Sequence, residues 1–153
     1  MMKKPVILVS ACLLGVCCRY DGESKPCNEV IALRDRFTMI PICPEVDGGL
    51  PTPRTPSERV GDKVLMKDGR DVTKNYNDGA AQALEKAQLY GCKAAILKAR
   101  SPSCGSGLVY DGSFTGTLVE GDGVAAELLK RSGVKVFSEE NIPELLQYFV
   151  DKT

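Results

Sequence analysis

The chain has 153 residues, of which 43% are hydrophobic and 26% are charged, a composition typical of one globular domain with a single core. Twenty basic residues balance 20 acidic ones, so the overall charge gives no reason to expect a nucleic acid or an anionic membrane as a partner. No apolar run approaches the roughly 18 residues that a membrane-spanning helix needs. We therefore expect a cytoplasmic protein with a single domain over residues 1–153.

The first predicted element is a β-strand at residues 6–9 (VILV). Lysines precede this stretch, as in a signal peptide, but Ser10 and Cys12 interrupt the apolar run and the motif continues directly into a polar segment. Three further apolar runs have the length and composition of strands, namely residues 37–42, 94–98 and 134–137. The sequence therefore predicts a sheet of about four strands.

Helical patterns separate these strands. The clearest covers residues 72–90, where Tyr76 and four further apolar residues recur at helical spacing before Gly91 ends the pattern. A short helix is predicted at residues 29–36. Strands that alternate with helices favour right-handed crossovers and a mostly parallel sheet. The predicted fold is a compact three-layer α/β domain with helices on both faces.

Two later helices are predicted from their end signals. Asp122 can cap the first turn of a helix in VAAELLKRSG, and Gly133 can end that helix in a left-handed conformation. Asn141 is expected to cap the last helix, with Pro143 in its first turn. Two segments rich in glycine, residues 47–62 and 101–121, have no place in this alternation and are predicted to be functional loops.

The chain contains seven cysteines and no histidine. Cys12, Cys43 and Cys104 each fall at or just past the end of a short apolar run. Loops that leave the carboxyl ends of parallel strands converge on one edge of the sheet, so these three cysteines can meet in space. An odd number of cysteines in a reducing compartment favours metal binding or catalysis over a disulfide framework.

The other four cysteines have less distinctive settings. Cys92 lies in a helix-to-strand turn and Cys27 lies near a helix start, and packing explains both. Cys17 and Cys18 are adjacent, so their side chains diverge and at most one of them readily reaches a shared site.

Three thiolates without histidine suit an iron–sulfur cluster better than zinc. Structural zinc usually takes four ligands in close pairs such as Cys-x-x-Cys, which are missing here, and catalytic zinc with cysteine commonly includes histidine. A cubane cluster held by only three cysteines keeps one iron open for another ligand. An open iron is a Lewis acid, and soft iron suits a sulfur-bearing substrate.

Five motifs extend over nearly the whole chain: VSACLLGVCCRYDG, PICPEVDGGLPTPR, KDGRDVT, LKARSPSCGSGLVYDGSFTG and EGDGVAAELL. Together they resemble the thiouracil desulfurase (TudS) family. The resemblance implies a single Rossmann-like domain that binds a 4Fe-4S cluster through three cysteines. It also implies hydrolytic, non-redox removal of sulfur from a thiolated pyrimidine such as 2-thiouracil, giving uracil and hydrogen sulfide.

The family's ligands can be assigned to residues of this chain. The resemblance implies that Cys12, Cys43 and Cys104 bind the cluster, with Cys18 as the reserve candidate. It further implies that the thiocarbonyl sulfur binds the open iron, that water attacks the carbon, and that sulfur leaves as hydrosulfide held on the cluster.

Glu45 and Ser101 are the candidates for proton transfer. Glu45 follows Cys43 by two positions and can activate the water, although a glutamate after proline can also simply cap backbone amides. Ser101 can pass a proton or orient the substrate, or it can cap the turn that it forms with Pro102. Ser103 competes with Ser101 for the same role.

Charged residues near these loops have no single predicted role. Arg19, Arg54 and Arg100 can hold substrate oxygens or balance the charge of a cluster, but an arginine near a loop is usually solvated. Three aspartates are expected to cap helices or turns rather than to bind metal, namely Asp71, Asp111 and Asp122.

Two other functions remain open. One is a metal or iron–sulfur binding module that carries or senses sulfur without turnover. The other is a metal-free enzyme in which a thiolate such as Cys104 attacks the substrate, activated by a helix terminus or by Arg100. The lack of histidine removes the usual base from this second alternative.

Overall fold

The computed structural model describes residues 4–151 as a four-stranded parallel sheet covered by helices, with two separate β-hairpins. Its strands and helices in chain order are β1 (Val6–Ser10), α1 (Asn28–Ala32), β2 (Thr38–Ile42), α2 (Pro44–Asp47), β3 (Ser57–Val60), β4 (Lys63–Met66), α3 (Thr73–Tyr90), β5 (Ala94–Leu97), β6 (Leu108–Tyr110), β7 (Leu118–Glu120), α4 (Val124–Arg131), β8 (Lys135–Ser138) and α5 (Ile142–Asp151). Short 3-10 helices follow β1 at Ala11–Leu14 and α1 at Leu33–Asp35. Within residues 4–151, no helix is long and apolar enough to cross a membrane.

The parallel sheet has the strand order β2-β1-β5-β8. Leu8 on β1 lies opposite Ile40 on β2 and Ala95 on β5. All four strands predicted from the apolar runs are present, with ends that differ by one residue or none. The long predicted helix is α3, which begins at Thr73 and ends before Gly91 in the left-handed conformation.

Helices cover both faces of the sheet because the side chains of β1 alternate between two cores. Ile7 and Val9 are completely buried in the core that also contains residues of α1 and α5. Leu8 is completely buried in the core that contains residues of α3 and α4. This alternation is the period of two that a strand between two helical layers requires, and it confirms the predicted α/β architecture.

Of the two segments predicted to be loops, residues 101–121 contain a β-hairpin and residues 47–62 contain the first strand of another. β3 pairs antiparallel with β4, and β6 pairs antiparallel with β7. These strands have only three or four residues, and every residue of β7 is exposed. Such short strands lack the run of alternating apolar and polar residues from which a strand is predicted.

The prediction that Asp122 caps α4 is wrong. The first N–H groups of α4 instead donate to the backbone carbonyls of Pro102 and Ser103 at 2.9 Å, so they need no side-chain cap. The Asp122 carboxylate accepts from the backbone N–H of Gly107 at 2.9 Å and from the Lys130 ammonium at 2.8 Å. Backbone from the Cys104 turn thus occupies the position that the aspartate was expected to fill.

The other predicted caps have mixed outcomes. Asn141 precedes α5, but its side-chain oxygen accepts from the hydroxyl of Ser138 at 3.1 Å, before the helix. Asp71 and Asp111 each accept a hydrogen bond at 2.9 Å from the backbone N–H two residues further on, so both stabilise turns as predicted.

Candidate active site

A cavity of about 460 Å³ is lined by residues from the ends of β1, β2 and β5 and from both hairpins. The structure brings Cys12, Cys43 and Cys104 together in its wall and adds Cys18. Cys17 is exposed, Cys27 is half-buried, and Cys92 is buried in the core beneath α3 and α4. Four of the seven thiols therefore share one cavity.

Local structure after each strand places the thiols. Cys12 lies in the 3-10 helix directly after β1, and its carbonyl accepts from the backbone N–H of Lys25 at 3.0 Å. Cys43 is the residue before α2, and its own N–H donates to the Asp47 carboxylate at 3.3 Å. The Cys43 thiol is 3.7 Å from the carbonyl oxygen of Cys18, to which it donates. The irregular segment after the first 3-10 helix thus contacts the end of β2.

Close packing of α2 against α3 sets the position of Cys43. A Cβ atom at Gly79 in α3 would overlap the backbone carbonyl of Pro44, and one at Gly48 would overlap the carbonyl of Asn75. The Asn75 side chain also donates to the carbonyl of Gly48 at 2.8 Å. The two backbones therefore touch directly, which only glycine allows at these positions.

The turn that carries Cys104 is held by Ser101. The Ser101 hydroxyl oxygen accepts from the backbone N–H groups of Ser103 at 3.1 Å and Cys104 at 3.0 Å. The Ser101 carbonyl accepts from the N–H of Gly105 at 2.8 Å. Ser101 therefore caps this turn, which is one of the two roles that the sequence suggested for it.

Contacts among the thiols and burial raise three of their pKa values. The hydrogen bond with Cys12 raises the pKa of Cys18 to about 11. The hydrogen bond with Cys18, followed by burial, holds the pKa of Cys43 well above its usual range. Burial raises the pKa of Cys104 to about 12. A thiolate nucleophile needs a lowered pKa, so these values disfavour a metal-free cysteine enzyme.

Glu45 and Arg54 form a buried ion pair beside the thiols. The Glu45 carboxylate accepts from Arg54 Nε at 3.1 Å and from Arg54 Nη2 at 3.0 Å, and the two side chains are only 14% and 3% exposed. Arg54 also donates to the carbonyls of Cys18 at 2.8 Å and Pro51 at 3.1 Å and to the Thr52 hydroxyl at 3.0 Å. Arg54 is therefore no solvated loop arginine, and it fixes the carboxylate relative to the cavity wall.

Two serine hydroxyls extend this pair into a directed chain. Ser103 Oγ donates to Glu45 Oε2 at 2.9 Å, and Ser101 Oγ lies 3.0 Å from Ser103 Oγ. A hydroxyl has one proton, so a Ser103 that donates to Glu45 must accept from Ser101. Ser103 also lies 3.6 Å from the sulfur of Cys104. Ser103 is thus the serine that contacts Glu45, and Ser101 reaches it through Ser103.

Tyr76 is a contact of Glu45 that sequence reasoning treated only as a core residue. Its side chain is completely buried in α3, and its hydroxyl lies near Glu45 and Ser57. Burial, followed by the nearby Glu45 carboxylate, holds the pKa of Tyr76 well above its usual range. No local pattern distinguishes such a tyrosine from an ordinary buried one on the same helical face.

Basic side chains outnumber carboxylates in the cavity wall. Five basic residues line it, namely Arg19, Arg54, Lys67, Lys98 and Arg100, beside the carboxylates of Glu45 and Glu58. Lys98 pairs with Glu139 at 2.9 Å, and Arg100 pairs with Glu140 at 2.9 Å. Arg100, one proposed activator of a free thiolate, is thus already held by a carboxylate. Arg54 is paired with Glu45, and Arg19 lies 3.7 Å from the Asp21 carboxylate, so four of the five basic side chains are held by carboxylates.

The donor set of the cavity fits an iron–sulfur cluster. Within the described part of the chain, no three cysteine or carboxylate side chains converge on the position of one metal ion. A 4Fe-4S cluster bonds each thiolate to a different iron, so its ligands surround a larger object than a single ion. Four free thiols in one cavity supply more than the three ligands that the sequence predicted.

Fold and cavity together define an α/β protein whose parallel strands present several thiols to one ligand site. The model of the 2-thiouracil desulfurase family matches residues 7–141, and the chain belongs to that family. The resemblance predicted from the sequence motifs is therefore confirmed.

Two individual proteins are similar along almost the whole chain. The solved structure of the [4Fe-4S]-dependent thiouracil desulfidase TudS is 47% identical, with a TM-score of 0.89, and the match covers 96% of this chain and 99% of that one. The uncharacterized protein YbbK of Bacillus subtilis (strain 168) is 41% identical over 151 residues, which covers 92% of this chain and 100% of YbbK.

Proposed function

We propose that this protein is a cytoplasmic, iron–sulfur-dependent desulfurase that removes sulfur from a thiolated pyrimidine such as 2-thiouracil. Water supplies the oxygen of the uracil product, and sulfur leaves as hydrogen sulfide without net redox chemistry. The observation that carries the proposal is the single cavity in which four thiols meet the chain of Glu45, Ser103 and Ser101. Membership of the 2-thiouracil desulfurase family and the 4Fe-4S dependence of the TudS relative support it.

Cys12, Cys43 and Cys104 are the proposed ligands of a 4Fe-4S cluster. Cys12 and Cys43 directly follow β1 and β2, and Cys104 lies in the loop after β5, in the turn that the Ser101 hydroxyl holds through two backbone N–H groups. Cys18, in the segment after the first 3-10 helix, is the reserve candidate. When bound, a cluster with three protein ligands supplies an open iron that acts as a Lewis acid toward the substrate sulfur.

Glu45 is the proposed base for the attacking water. Its carboxylate faces the cavity, and Arg54 fixes its orientation through two hydrogen bonds. Both protons of the water finally leave with sulfur as hydrogen sulfide, so Glu45 must accept a proton and return it. Ser103 and Ser101 form a path of hydroxyl groups by which such a proton can move between Glu45 and the partly exposed Ser101.

Anaerobic reconstitution with iron and sulfide tests the proposal. The wild-type protein is expected to bind a cluster and to release sulfide and uracil from 2-thiouracil. Cys12→Ala, Cys43→Ala and Cys104→Ala are expected to lose both iron and turnover. Cys17→Ala and Cys92→Ala are matched controls, because Cys17 is exposed and Cys92 is buried away from the cavity.

Two results would change the proposal. Loss of the cluster in Cys18→Ala but not in Cys12→Ala would exchange these two residues in the ligand set. A wild-type protein that holds a full cluster but releases no sulfide from thiolated pyrimidines would contradict the enzyme assignment. That result would instead support a module that carries or senses sulfur.

A further inference from the structure

The connection between β6 and β7 forms part of the cavity wall. Phe114 and Gly116 line the cavity, whereas Ser113, Thr115 and Thr117 are exposed. The connection therefore lies at the outer border of the cavity, and Phe114 is its one aromatic residue. None of the proposed steps in sulfur removal uses this residue.

Phe114 has a backbone conformation that phenylalanine rarely adopts. Its φ is 58°, and the same connection contains two other residues with positive φ, Gly112 at 96° and Gly116 at 78°. Glycine adopts this region freely, whereas a residue with a large side chain is strained in it. Glycine would fit position 114 without strain, so the backbone conformation gives no reason for an aromatic side chain here.

Glu58 on β3 holds Phe114 in this conformation. The Glu58 Oε1 atom accepts from the backbone N–H of Gly112 at 2.8 Å and from that of Phe114 at 3.1 Å. Gly112 has no room for a side chain, because a Cβ atom there would overlap the side chain of Val60. One hairpin thus holds the connection of the other against the cavity.

Phe114 is an aromatic residue of the cavity wall. Among residues 4–151, the aromatic contacts and the cation–π contact do not involve Phe114. Tyr20 and Tyr110 also line the cavity. The Arg19 guanidinium lies 5.7 Å from the centre of the Tyr20 ring, and Tyr110 lies on β6 near Arg100. A planar unsaturated base presents a π-face that stacks on such a ring.

We propose that Phe114 is a specificity-determining residue that stacks on the face of a planar thiolated base, and that Glu58 is the residue that positions it. The inference rests on the proposed desulfurase function and narrows its substrate class to thioamides within a planar, unsaturated ring. A saturated ring of the same size offers no full π-face and gains little from this contact.

The ring is tested with the reconstituted protein and a pair of substrates, 2-thiouracil and 5,6-dihydro-2-thiouracil. Phe114→Gly removes the ring and keeps the backbone conformation, so the protein is expected to fold and to hold normal iron. KM for 2-thiouracil should rise about 5- to 100-fold, the range for loss of one stacked base, while KM for the dihydro compound should change much less. Phe114→Tyr should keep the wild-type preference. Leu118→Ala is the matched control, since Leu118 is an exposed residue of the same hairpin outside the cavity wall.

Two variants test whether Glu58 positions Phe114. Glu58→Ala removes the acceptor of both N–H groups and should reduce the preference for 2-thiouracil in the same way as Phe114→Gly. Glu58→Gln keeps a carbonyl oxygen at this position and should restore most of the preference. A role of Glu58 in general folding alone would lower the activity toward both substrates equally.

A binding measurement separates this inference from the proposed function. Calorimetric titration of each reconstituted variant with uracil and with 5,6-dihydrouracil reports stacking even if sulfide release is absent. Wild-type protein that lacks turnover would contradict the desulfurase, whereas the stacking inference would stand on the uracil preference. If Phe114→Gly keeps the wild-type preference for the unsaturated ring in both turnover and titration, the stacking inference is overturned. The proposed desulfurase function would not be affected.

Discussion

The cavity has two walls that are built in different ways. The thiol wall (Cys12, Cys18, Cys43 and Cys104) comes mainly from turns at the ends of parallel strands, whereas the hairpin wall (Arg54, Glu58 and Phe114) comes from the two hairpins and the segment before them. Hydrogen bonds between distant residues hold the second wall, such as those from Arg54 to the Cys18 carbonyl and from Gly112 to Glu58. The difference indicates a division of labour, with cofactor binding on the first wall and control of Glu45 and the substrate on the second.

The largest effect is expected at Glu45, which lies between the walls. Glu45→Gln should lower turnover of 2-thiouracil by about 10²- to 10⁴-fold, the usual contribution of a positioned acid or base, with iron and sulfide content unchanged. The measurement is sulfide release per cluster under saturating substrate. If the variant loses its iron instead, Glu45 belongs with the thiol wall and the division between the walls fails.

Removal of Arg54 should affect stability most. Arg54→Met leaves the Glu45 carboxylate buried without its partner, and the free energy of unfolding should fall by about 3–5 kcal/mol. Arg54→Met combined with Glu45→Gln should recover part of this loss, because no unpaired charge remains. Urea denaturation measures the free energy of unfolding of both variants.

Arg70 offers the control for this pair. Its ion pair with Asp68 is exposed, so Arg70→Met should change the free energy of unfolding by less than about 1 kcal/mol. An equally small change in Arg54→Met would mean that the hairpin wall does not depend on the buried pair.

The two serines should separate turn stability from proton movement. Ser101→Ala removes the acceptor of two backbone N–H groups and should lower the free energy of unfolding by about 1–2 kcal/mol, as for loss of a cap. Ser103→Ala should cost about 1.5–3 kcal/mol, the value of a hydrogen bond to a charged group. Because either change interrupts the hydroxyl chain, both should slow sulfide release. Normal turnover in Ser103→Ala would remove the chain from the mechanism.

The smallest effect is expected at Tyr76. Tyr76→Phe keeps the packing of α3 and removes only the hydroxyl near Glu45, so the free energy of unfolding should fall by about 1 kcal/mol. Iron content should not change, and turnover should change less than in either serine variant. Tyr90→Phe, on the exposed end of the same helix, is the control. A loss of turnover as large as in Glu45→Gln would place Tyr76 among the catalytic groups.

The thiol wall could be predicted because short stretches of sequence determine the strands that position it. Apolar runs define β1, β2 and β5, and a parallel sheet brings the ends of such strands to one edge. Cys12, Cys43 and Cys104 therefore meet without any knowledge of distant contacts. Their role as ligands stays a prediction, as does the assignment of residues 1–153 to one domain.

The hairpin wall could not be predicted because contacts between residues far apart in sequence position it. The SERV stretch of β3 reads as a polar loop, and its contact with the connection after β6 depends on a hydrogen bond across 54 residues. Arg54 has no local signal that separates it from Arg19 or Arg100, because Glu45 and the Cys18 carbonyl, which hold it, come from other segments. The prediction that Asp122 caps α4 failed for the same reason, since carbonyls of the Cys104 turn accept from the first N–H groups of α4.

Direct contact between α2 and α3 has a consequence for protein engineering. Replacement of a helical glycine by alanine commonly stabilises a protein by about 1 kcal/mol, so Gly79 in the middle of α3 is an attractive target for thermostabilisation. Here the added methyl group would push Pro44 away from α3, and Cys43 and Glu45 are the residues on either side of that proline. A designer who gains rigidity at position 79 would displace a proposed ligand and the proposed base together.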